Sequence, residues 1–312
     1  MAIVTDEEFI AAWEKHKSPA KISRAFGISV RNIYDRRRVV EGKYGIVLAA
    51  NVENPIIEKH AARANVNIQD GCAIVFSDAH FWSLEPTTAY RALLKFIEEL
   101  KPQLIVANGD VFDGASISRH PKIGFMEHKP NVFEELEACK VMMQGISDTA
   151  KGAFLTWTLG NHDARFECYI AANASQYEYV NGFHLKDHFQ EWTPCWATWV
   201  NGDTVIKHRW KGGIHATHNN TLGSGKTIVT GHLHSLKVTP YTDYNGTRYG
   251  VDTGTLADPD GEQFLHYTED NPKNWRSGFA VLTYHKGRLL PPETVEVIDD
   301  GLVCFRGQVH EV

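Results

Sequence analysis

The sequence is poor in cysteine, and its cysteines follow no pairing pattern. Its five cysteines are scattered along 312 residues, and none stands in a CxxC spacing. An odd, dispersed set argues for a reducing compartment and against both a disulfide framework and a thiolate zinc site. We therefore expect a cytoplasmic protein whose functional groups are not thiolates.

Long hydrophobic runs are also missing. No stretch approaches the roughly 18 consecutive apolar residues that a membrane-spanning helix needs, so we expect no membrane contact. The first eight residues are acidic and lack the basic segment that opens a secretory signal. The hydrophobic share of 43% and the charged share of 22% are ordinary for a globular protein with one large domain and a small appendage.

Positive charge is scarce except near the N-terminus. The net charge is −6, yet residues 14–43 contain nine Lys or Arg and only three acids. The rest of the chain is therefore strongly acidic. This distribution predicts that contact with a polyanion begins at the N-terminus, although a solvated charged helix would give the same pattern.

The N-terminal residues predict three short helices. Thr5 and Glu8 have the spacing of a capping box before an apolar run. Ser18, followed by proline, is typical of a second helix start, and Gly27 can end that helix because it tolerates a positive φ. Ser29 can cap a third helix.

The apolar spacing around this turn resembles helix-turn-helix DNA-binding units, in which the helix after the turn lies in the major groove. The resemblance rests on Ile22, Phe26, Gly27, Ile28 and Ile33. We interpret residues 1–45 as such a unit, although three-helix units with this pattern also bind protein. Its predicted DNA contacts are the arginines expected to face outward, which are Arg31, Arg36, Arg37 and Arg38. Residues 46–70 lack clear periodicity and are interpreted as a linker with one short helix at most.

From residue 71 onward the pattern is that of an α/β domain. Helices are predicted at 86–100 and 131–150 from apolar residues at helical spacing. Short buried strands are predicted at 73–76, 104–107, 154–159, 204–208, 227–230, 249–252 and 279–284. Strands and helices alternate early and give way to strands, which predicts a sandwich of layered sheets over residues 71–312.

Five short segments place polar side chains directly after predicted strands. They are Asp78-Ala-His80, Gly109-Asp110-Val-Phe-Asp113, Gly160-Asn161-His162-Asp163, His208 and Gly231-His232-Leu-His234. Strand ends of layered α/β folds open into the crevice where ligands bind. Carboxylate, amide and imidazole groups without thiolate suit a pair of Mn²⁺, Fe, Zn²⁺ or Ni²⁺ ions better than Ca²⁺. The glycines let the backbone approach such ions closely.

These segments resemble the motifs of the calcineurin-like metallophosphoesterase superfamily, which are DxH, GDxxD, GNH followed by an acid, a strand-end His, and GHxH. All are present in the family's order between residue 73 and about residue 256. The resemblance implies an αββα sandwich that hydrolyses phosphate esters with two divalent ions. Mn²⁺ is the expected ion, with Fe, Zn²⁺, Ni²⁺ and Mg²⁺ as alternatives.

The resemblance also implies a role for each motif residue. One ion would be held by Asp78, His80 and His234, and the other by Asn161, His208 and His232. Asp110 would bridge the two ions, opposite a bridging hydroxide.

Three further motif residues would not bind metal. His162 would protonate the leaving group or stabilise phosphoryl oxygens, and Asp163 would orient its imidazole. Asp113 would accept a hydrogen bond from a ligand histidine.

One motif departs from the family pattern, because Arg209 follows His208 where glycine is usual. His215 and His218 are nearby alternatives for this ligand, but the strand predicted before His208 favours His208. Arg209 is a candidate contact for a substrate phosphate.

For several other residues, a functional role and a purely structural role both fit the sequence. Arg119, His120 and Arg165 could bind substrate phosphate or simply belong to surface loops. The four tryptophans at 192, 196, 199 and 210 could stack on bases, but buried packing explains them as well. Residues 223–227 match the end of a phosphate-binding loop, yet the required first glycine and preceding strand are missing.

The sequence therefore predicts a metal-dependent phosphoesterase, and its basic N-terminal unit favours nucleic acid as the substrate. A tethered DNA-binding unit would raise the local concentration of DNA at the active site. The motif set resembles that of DNA-repair exonucleases, and the pairing of units resembles phage or prophage proteins. The alternatives are a phosphatase or phosphodiesterase of small nucleotides and an inactive DNA-binding scaffold. The oligomeric state is open, with a homodimer as one option.

Overall fold

The computed structural model describes residues 4–48, 62–119, 130–264, 268 and 271–312. The chain divides into two compact units, Met1–Glu58 and Lys59–Val312.

The first unit contains three helices, α1 (Asp6–His16), α2 (Pro19–Phe26) and α3 (Val30–Tyr44). They begin at the predicted caps, because the side chains of Thr5, Ser18 and Ser29 each accept a hydrogen bond from a backbone N–H of the first turn. Gly27 ends α2 with a φ of 64°. The buried side chains of this unit are Phe9, Trp13, Ile22, Ile33, Val40 and Leu48.

The second unit contains two sheets. Its strands in chain order are β1 (Ala64–Val66), β2 (Gly71–Phe76), β3 (Leu104–Ala107), β4 (Phe154–Thr158), β5 (Thr193–Cys195), β6 (Thr198–Val200), β7 (Thr204–Ile206), β8 (Thr227–Thr230), β9 (Lys237–Asp243), β10 (Gly246–Asp252), β11 (Gly278–His285), β12 (Arg288–Leu289), β13 (Glu293–Asp299), β14 (Leu302–Phe305) and β15 (Gln308–Glu311). One sheet has the order β15-β14-β13-β11-β2-β3-β4-β5, with β12 paired to β11. The other has the order β1-β6-β7-β8-β10-β9.

The helices of this unit are α4 (Thr88–Leu100), α5 (Val132–Thr149), α6 (Asp163–Asn173) and α7 (Ala216–Ser224). Alternate residues of β2 separate two apolar layers, as expected from the period of two in a strand. Ile74 and Phe76 pack with α4 and α5, whereas Ala73 and Val75 pack with buried residues of the second sheet. Because α7 packs on β8, β9 and β10, the layers run helix, sheet, sheet, helix. The predicted α/β sandwich is confirmed.

The linker interpretation of residues 46–70 is wrong at its C-terminal end. Ala64–Val66 forms β1, which pairs in parallel with β6. A three-residue strand is too short to show an alternating pattern, so it could not be predicted from periodicity. Residues 49–61 of the predicted linker lie outside the described residues.

Candidate metal centre

The polar segments follow five neighbouring strands of the two sheets, namely β2, β3, β4, β7 and β8. Five side chains in these segments sit on residues with positive φ, which are Asp78 (52°), His80 (43°), Asp110 (52°), His232 (72°) and His234 (55°). A non-glycine residue in this region costs roughly 1–2 kcal/mol. Strain of this kind concentrates where surrounding structure fixes functional groups.

Glycines permit the close approach of these segments. A Cβ atom on Gly160 would lie 2.1 Å from Oδ1 of Asp110, and one on Gly231 would lie 2.4 Å from Oγ of Ser77. Neither contact is sterically possible. Glycine at these two positions therefore lets the segments lie closer together than any side chain would permit.

Asp78, His80 and His234 form one cluster, in which their candidate ligand atoms lie within 4.8 Å of one another. Oδ1 of Asp78 is 3.1 Å from Nε2 of His234, and Oδ2 accepts the backbone N–H of His232 at 2.8 Å. Burial opposes ionisation of Asp78, but the imidazoles of His234 and His208 outweigh it and lower its pKa to about 2. Burial lowers the pKa of His80 and so favours its neutral, ligating form.

Asp110, His208 and His232 form a second cluster of the same kind. Nε2 of His208 is 3.0 Å from Oδ2 of Asp110, and its Nδ1 donates to the carbonyl of Asn108 at 2.7 Å. Burial disfavours the imidazolium of His208, but the carboxylates of Asp110 and Asp78 raise its pKa to about 10. This excess of buried negative charge is the environment that a cation stabilises.

Several buried atoms at these clusters have no hydrogen-bond partner. They are Nε2 of His80, Oδ1 of Asn161 and Nδ1 of His234. Buried polar atoms in proteins are nearly always paired, so a group of unpaired polar atoms requires an explanation. Divalent cations supply it, because imidazole nitrogen, amide oxygen and carboxylate are their ordinary ligands. The donor set fits two such ions.

His162 lies between the clusters and a cationic side chain. Its backbone N–H donates to Oδ1 of Asp110 at 2.7 Å, and its Nδ1 is 2.8 Å from Oδ1 of Asp113. Its Nε2 lies 3.1 Å from Nη2 of Arg165, which also donates through Nη1 to the carbonyl of Asp113. Burial disfavours the imidazolium of His162, but Asp113 and Asp110 outweigh it and raise the pKa.

Asp113 accepts from two histidines. Besides His162, Nδ1 of His80 approaches the same Oδ1 atom at 2.9 Å, in agreement with the expected contact to a ligand histidine. Burial opposes ionisation of Asp113, but these two hydrogen bonds hold its pKa well below its usual range. Asp113 therefore fixes the ring orientation of both histidines.

The expectation that Asp163 orients His162 is wrong. The Asp163 carboxylate accepts the backbone N–H groups of Asp110, Val111, Phe112 and Gly160 and the indole N–H of Trp157. The hydrogen bonds to the N–H groups of Asp110, Val111 and Phe112 fix the loop that carries Asp110. Adjacency in sequence suggested a contact with His162, but Asp163 begins α6 and points towards the preceding strand ends.

Glu135 is a site residue that sequence reasoning missed. It is fully buried on α5, and its carboxylate accepts the N–H groups of Gly114 and Ala115, directly after Asp113. Burial and the charge of Asp113 raise its pKa to about 7. An acid beside Leu136 on the apolar face of a predicted helix was the signal that could have found it.

The alternatives for the fourth ligand lie elsewhere. His215 precedes α7, and the ring of His218 packs at 5.5 Å from that of Tyr241. Arg209 is exposed, and its charge contributes to the lowered pKa of His232, whose largest cause is burial. Arg119 is exposed, whereas His120 lies outside the described residues.

The four tryptophans considered for base stacking have different surroundings. Trp192 belongs to the core, and the guanidinium of Arg63 lies 3.8 Å from the ring centroid of Trp199, whereas Trp196 and Trp210 are exposed. Near the first cluster, the ring of Trp275 lies 4.4 Å from that of His234, and the ring of Phe264 lies 5.4 Å from that of His80. These two rings border the first cluster.

The four arginines predicted to contact DNA divide into two pairs. Arg37 bonds Glu41 at 2.8 Å and lies 5.0 Å from the ring centroid of Trp13. Arg36 bonds the carbonyl of Val4 and packs over Phe9. The expectation that Arg36 and Arg37 face outward is therefore wrong, because both stabilise the fold of the unit.

Arg31 and Arg38 are exposed on α3, and Lys21 and Arg24 are exposed on α2. All five cysteines carry free thiols. Among the described helices, none has the length and apolar character that crossing a membrane requires.

Comparison with known proteins places the clusters in a family context. The sequence profile of the calcineurin-like phosphoesterase family matches residues 73–252. A relative from Mycobacterium phage L5, named Gene 54 protein, is 25% identical over 268 residues, which cover 77% of this chain and 98% of the relative. The match to the family profile includes every candidate metal ligand.

Solved structures give more distant likenesses. An archaeal phosphodiesterase is 14% identical with a TM-score of 0.38, covering 72% of this chain and 99% of its own. The nuclease MPE of Pseudomonas putida is 13% identical with a TM-score of 0.33, covering 70% and 86%.

Proposed function

The chain belongs to the calcineurin-like phosphoesterase family, and from this premise we propose that it is a nuclease or phosphodiesterase that hydrolyses nucleic-acid phosphodiester bonds. The observation that carries the choice of substrate is the exposed positive charge of α2 and α3. Lys21, Arg24, Arg31 and Arg38 are exposed there, on a chain whose remaining residues are acidic overall. Phosphate backbones bind to such surfaces by releasing counterions.

Two divalent ions fit the clusters. Asp78, His80 and His234 would hold one ion, and Asn161, His208 and His232 would hold the other. Asp110 would contact both. When bound, such ions lower the pKa of a shared water and neutralise charge on the phosphate. Mn²⁺ is the proposed ion, because the site offers nitrogen and oxygen ligands without thiolate.

His162 would handle the proton of the leaving group. Its imidazole is held through Nδ1 by Asp113, so its Nε2 is the atom that faces outward towards Arg165. The raised pKa of His162 keeps the donor form available near neutral pH. Arg165 would move from Nε2 to a phosphoryl oxygen, for which its planar donors are suited.

Two exposed arginines would extend the phosphate contact. Arg209 follows His208 directly, and Arg119 follows the loop that Glu135 holds. The flanking phosphates of a nucleic-acid strand would lie near such groups.

A small nucleotide is the second candidate substrate. The half-buried ring of Trp275, which lies 4.4 Å from that of His234 and packs on the buried Phe264, offers an aromatic surface for a single base. In that case the N-terminal helices would serve assembly or regulation.

Hydrolysis of labelled single- and double-stranded DNA beside a chromogenic phosphodiester, with Mn²⁺ and with chelator, distinguishes the candidates. Cleavage of DNA that requires metal supports the proposal. Hydrolysis of the chromogenic diester with intact DNA supports the small-nucleotide candidate. No hydrolysis of any ester with Mn²⁺ would leave only a DNA-binding scaffold.

A further inference from the structure

A second cavity lies in the catalytic unit, at the opposite ends of the strands that carry the metal ligands. Its volume is about 740 Å³, and Thr204, Thr227 and Gly246, the first residues of β7, β8 and β10, line it. His208 follows the other end of β7. His208 is four residues after Thr204, which corresponds to roughly 13 Å of extended chain.

The charge of this cavity is opposite to that of the chain around it. Four cationic side chains line it, which are Lys226, Arg248, Lys286 and Arg288, and Asp203 is the one acid among its lining residues. Most other lining residues carry amide or hydroxyl groups, including Asn67, Gln69, Asn201, Asn245, Thr247 and Tyr249. A concentration of cations on an acidic body focuses a positive field on the cavity.

The cations are held in place by the fold. Lys226 lies 2.7 Å from Asp203, and Arg248 pairs through Nη2 with Asp243. The guanidinium of Arg248 also lies 5.5 Å from the ring centroid of Tyr241, and neither Tyr241 nor Asp243 lines the cavity. Lys286 and Arg288 are exposed, so their charged groups are the ones that a ligand can reach.

Lys286 occupies an unusual backbone position. It has a φ of 50° in the two-residue turn with Gly287 that joins β11 to β12. Asparagine and glycine are favoured in turns of this kind, because they tolerate the positive φ that the turn requires. The turn itself therefore does not explain a lysine at this position. Its exposed ammonium group borders the cavity.

We propose that this cavity binds a phosphate-bearing ligand of nucleotide type. Its volume lies within the roughly 300–1,000 Å³ range of ligand sites and exceeds what a single phosphate fills. The cations match phosphate oxygens, and the amides and hydroxyls match sugar and base edges. The same chemistry is presented by a free nucleotide and by a segment of a nucleic-acid strand. The inference does not depend on which ester the metal centre hydrolyses.

Binding of two probes to the full-length chain tests this inference. The probes are thymidine 5′-monophosphate, followed by calorimetry, and a fluorescent ten-residue oligothymidylate, followed by anisotropy, both with chelator present to prevent hydrolysis. The variants are Lys286→Asn, which suits the turn, and Arg288→Gln, which removes the other exposed cation of the lining. Lys101→Asn is the matched control, because Lys101 is also an exposed lysine with positive φ, at 47°, and it does not line the cavity.

Each cavity variant should weaken binding by about tenfold or more, as expected for a lost charge-assisted hydrogen bond. Lys101→Asn should bind like the wild type, and Lys286→Asn should hydrolyse a chromogenic diester at the wild-type rate with metal. Tighter binding of the monophosphate would identify a free nucleotide as the ligand, and binding of the oligonucleotide alone would identify a strand. The inference is overturned if neither probe binds the wild type, or if Lys286→Asn binds both probes as the control does.

Discussion

Nη2 of Arg165 lies 3.1 Å from Nε2 of His162, so a guanidinium donor occupies the lone pair of the imidazole that faces away from Asp113. In this arrangement the imidazole of His162 is neutral, because Nε2 is unprotonated and Nδ1 carries the ring proton. Proton donation from Nε2 therefore requires Arg165 to leave it, and a phosphate that attracts Arg165 would free it. Binding of the substrate phosphate is thereby coupled to the availability of Nε2 of His162 as the proton donor.

Arg165→Gln tests this coupling. The positive charge of Arg165 opposes protonation of His162, so its removal should raise the pKa of His162 further. Because the acid must be protonated, the alkaline limb of the plot of kcat against pH should move to higher pH. The rate at neutral pH should fall by about tenfold or more through the lost phosphate contact. Arg91→Gln, which removes a surface pairing with Asp300, should change neither quantity. An unchanged alkaline limb in Arg165→Gln would rule out the coupling.

Asp113→Asn should weaken both metal binding and turnover. Its carboxylate orients His80, a proposed ligand, and His162, the proposed acid. Loss of a carboxylate behind a ligand histidine typically lowers metal affinity by about 10–100-fold. Metal titration and hydrolysis of a chromogenic diester at saturating Mn²⁺ separate the two effects. Wild-type metal affinity in this variant would contradict the role of Asp113 in orienting His80.

Metal binding should release protons at neutral pH. The pKa of His208 is raised to about 10 in the metal-free protein, so Nε2 carries a proton at pH 7 that a cation must displace. The apparent metal affinity should therefore rise with pH, by about tenfold per pH unit for each proton released. Calorimetry in buffers of different ionisation enthalpy counts these protons. A binding enthalpy that is independent of the buffer would show that His208 is already neutral or is not a ligand.

Substitutions in the helical unit distinguish arginines that contact DNA from arginines that stabilise the fold of the unit. Replacing the exposed Arg31 and Arg38 with Gln should weaken DNA binding and reduce the salt slope of log K by roughly two, since each lost phosphate contact removes about 0.9. Arg37→Gln should instead lower the thermal stability of the unit, because Arg37 pairs with Glu41 and packs on Trp13.

Removal of residues 1–45 should abolish the contribution of the helical unit to DNA affinity and leave hydrolysis of a small diester intact. DNA affinity that is unchanged by the truncation would refute the helix-turn-helix interpretation.

The layered fold and the grouping of the motif residues could be predicted because each depends on local sequence. Strands such as Leu104–Ala107 are fully apolar, and the polar residues follow them directly. The orientation of Asp163 could not be predicted, because three of its five partners, the N–H groups of Asp110, Val111 and Phe112, belong to a different strand end, 51 to 53 residues away along the chain. The internal use of Arg36 and Arg37 was hidden for a related reason. Their partners Asp6, Phe9 and Trp13 lie on another helix, and outward-facing and inward-packing arginines look alike in a basic run.

The measurement that tests the central claim most directly is metal content per chain together with diester hydrolysis, in the wild type, His162→Ala and His208→Ala. The wild type should contain two divalent ions and lose hydrolysis with chelator. His162→Ala should retain both ions while its turnover falls by about 10²–10⁴-fold, as expected for a lost general acid. His208→Ala should lose metal and activity together. A wild type that binds no ions, or His162→Ala losing metal as His208→Ala does, would contradict the assignment of these residues.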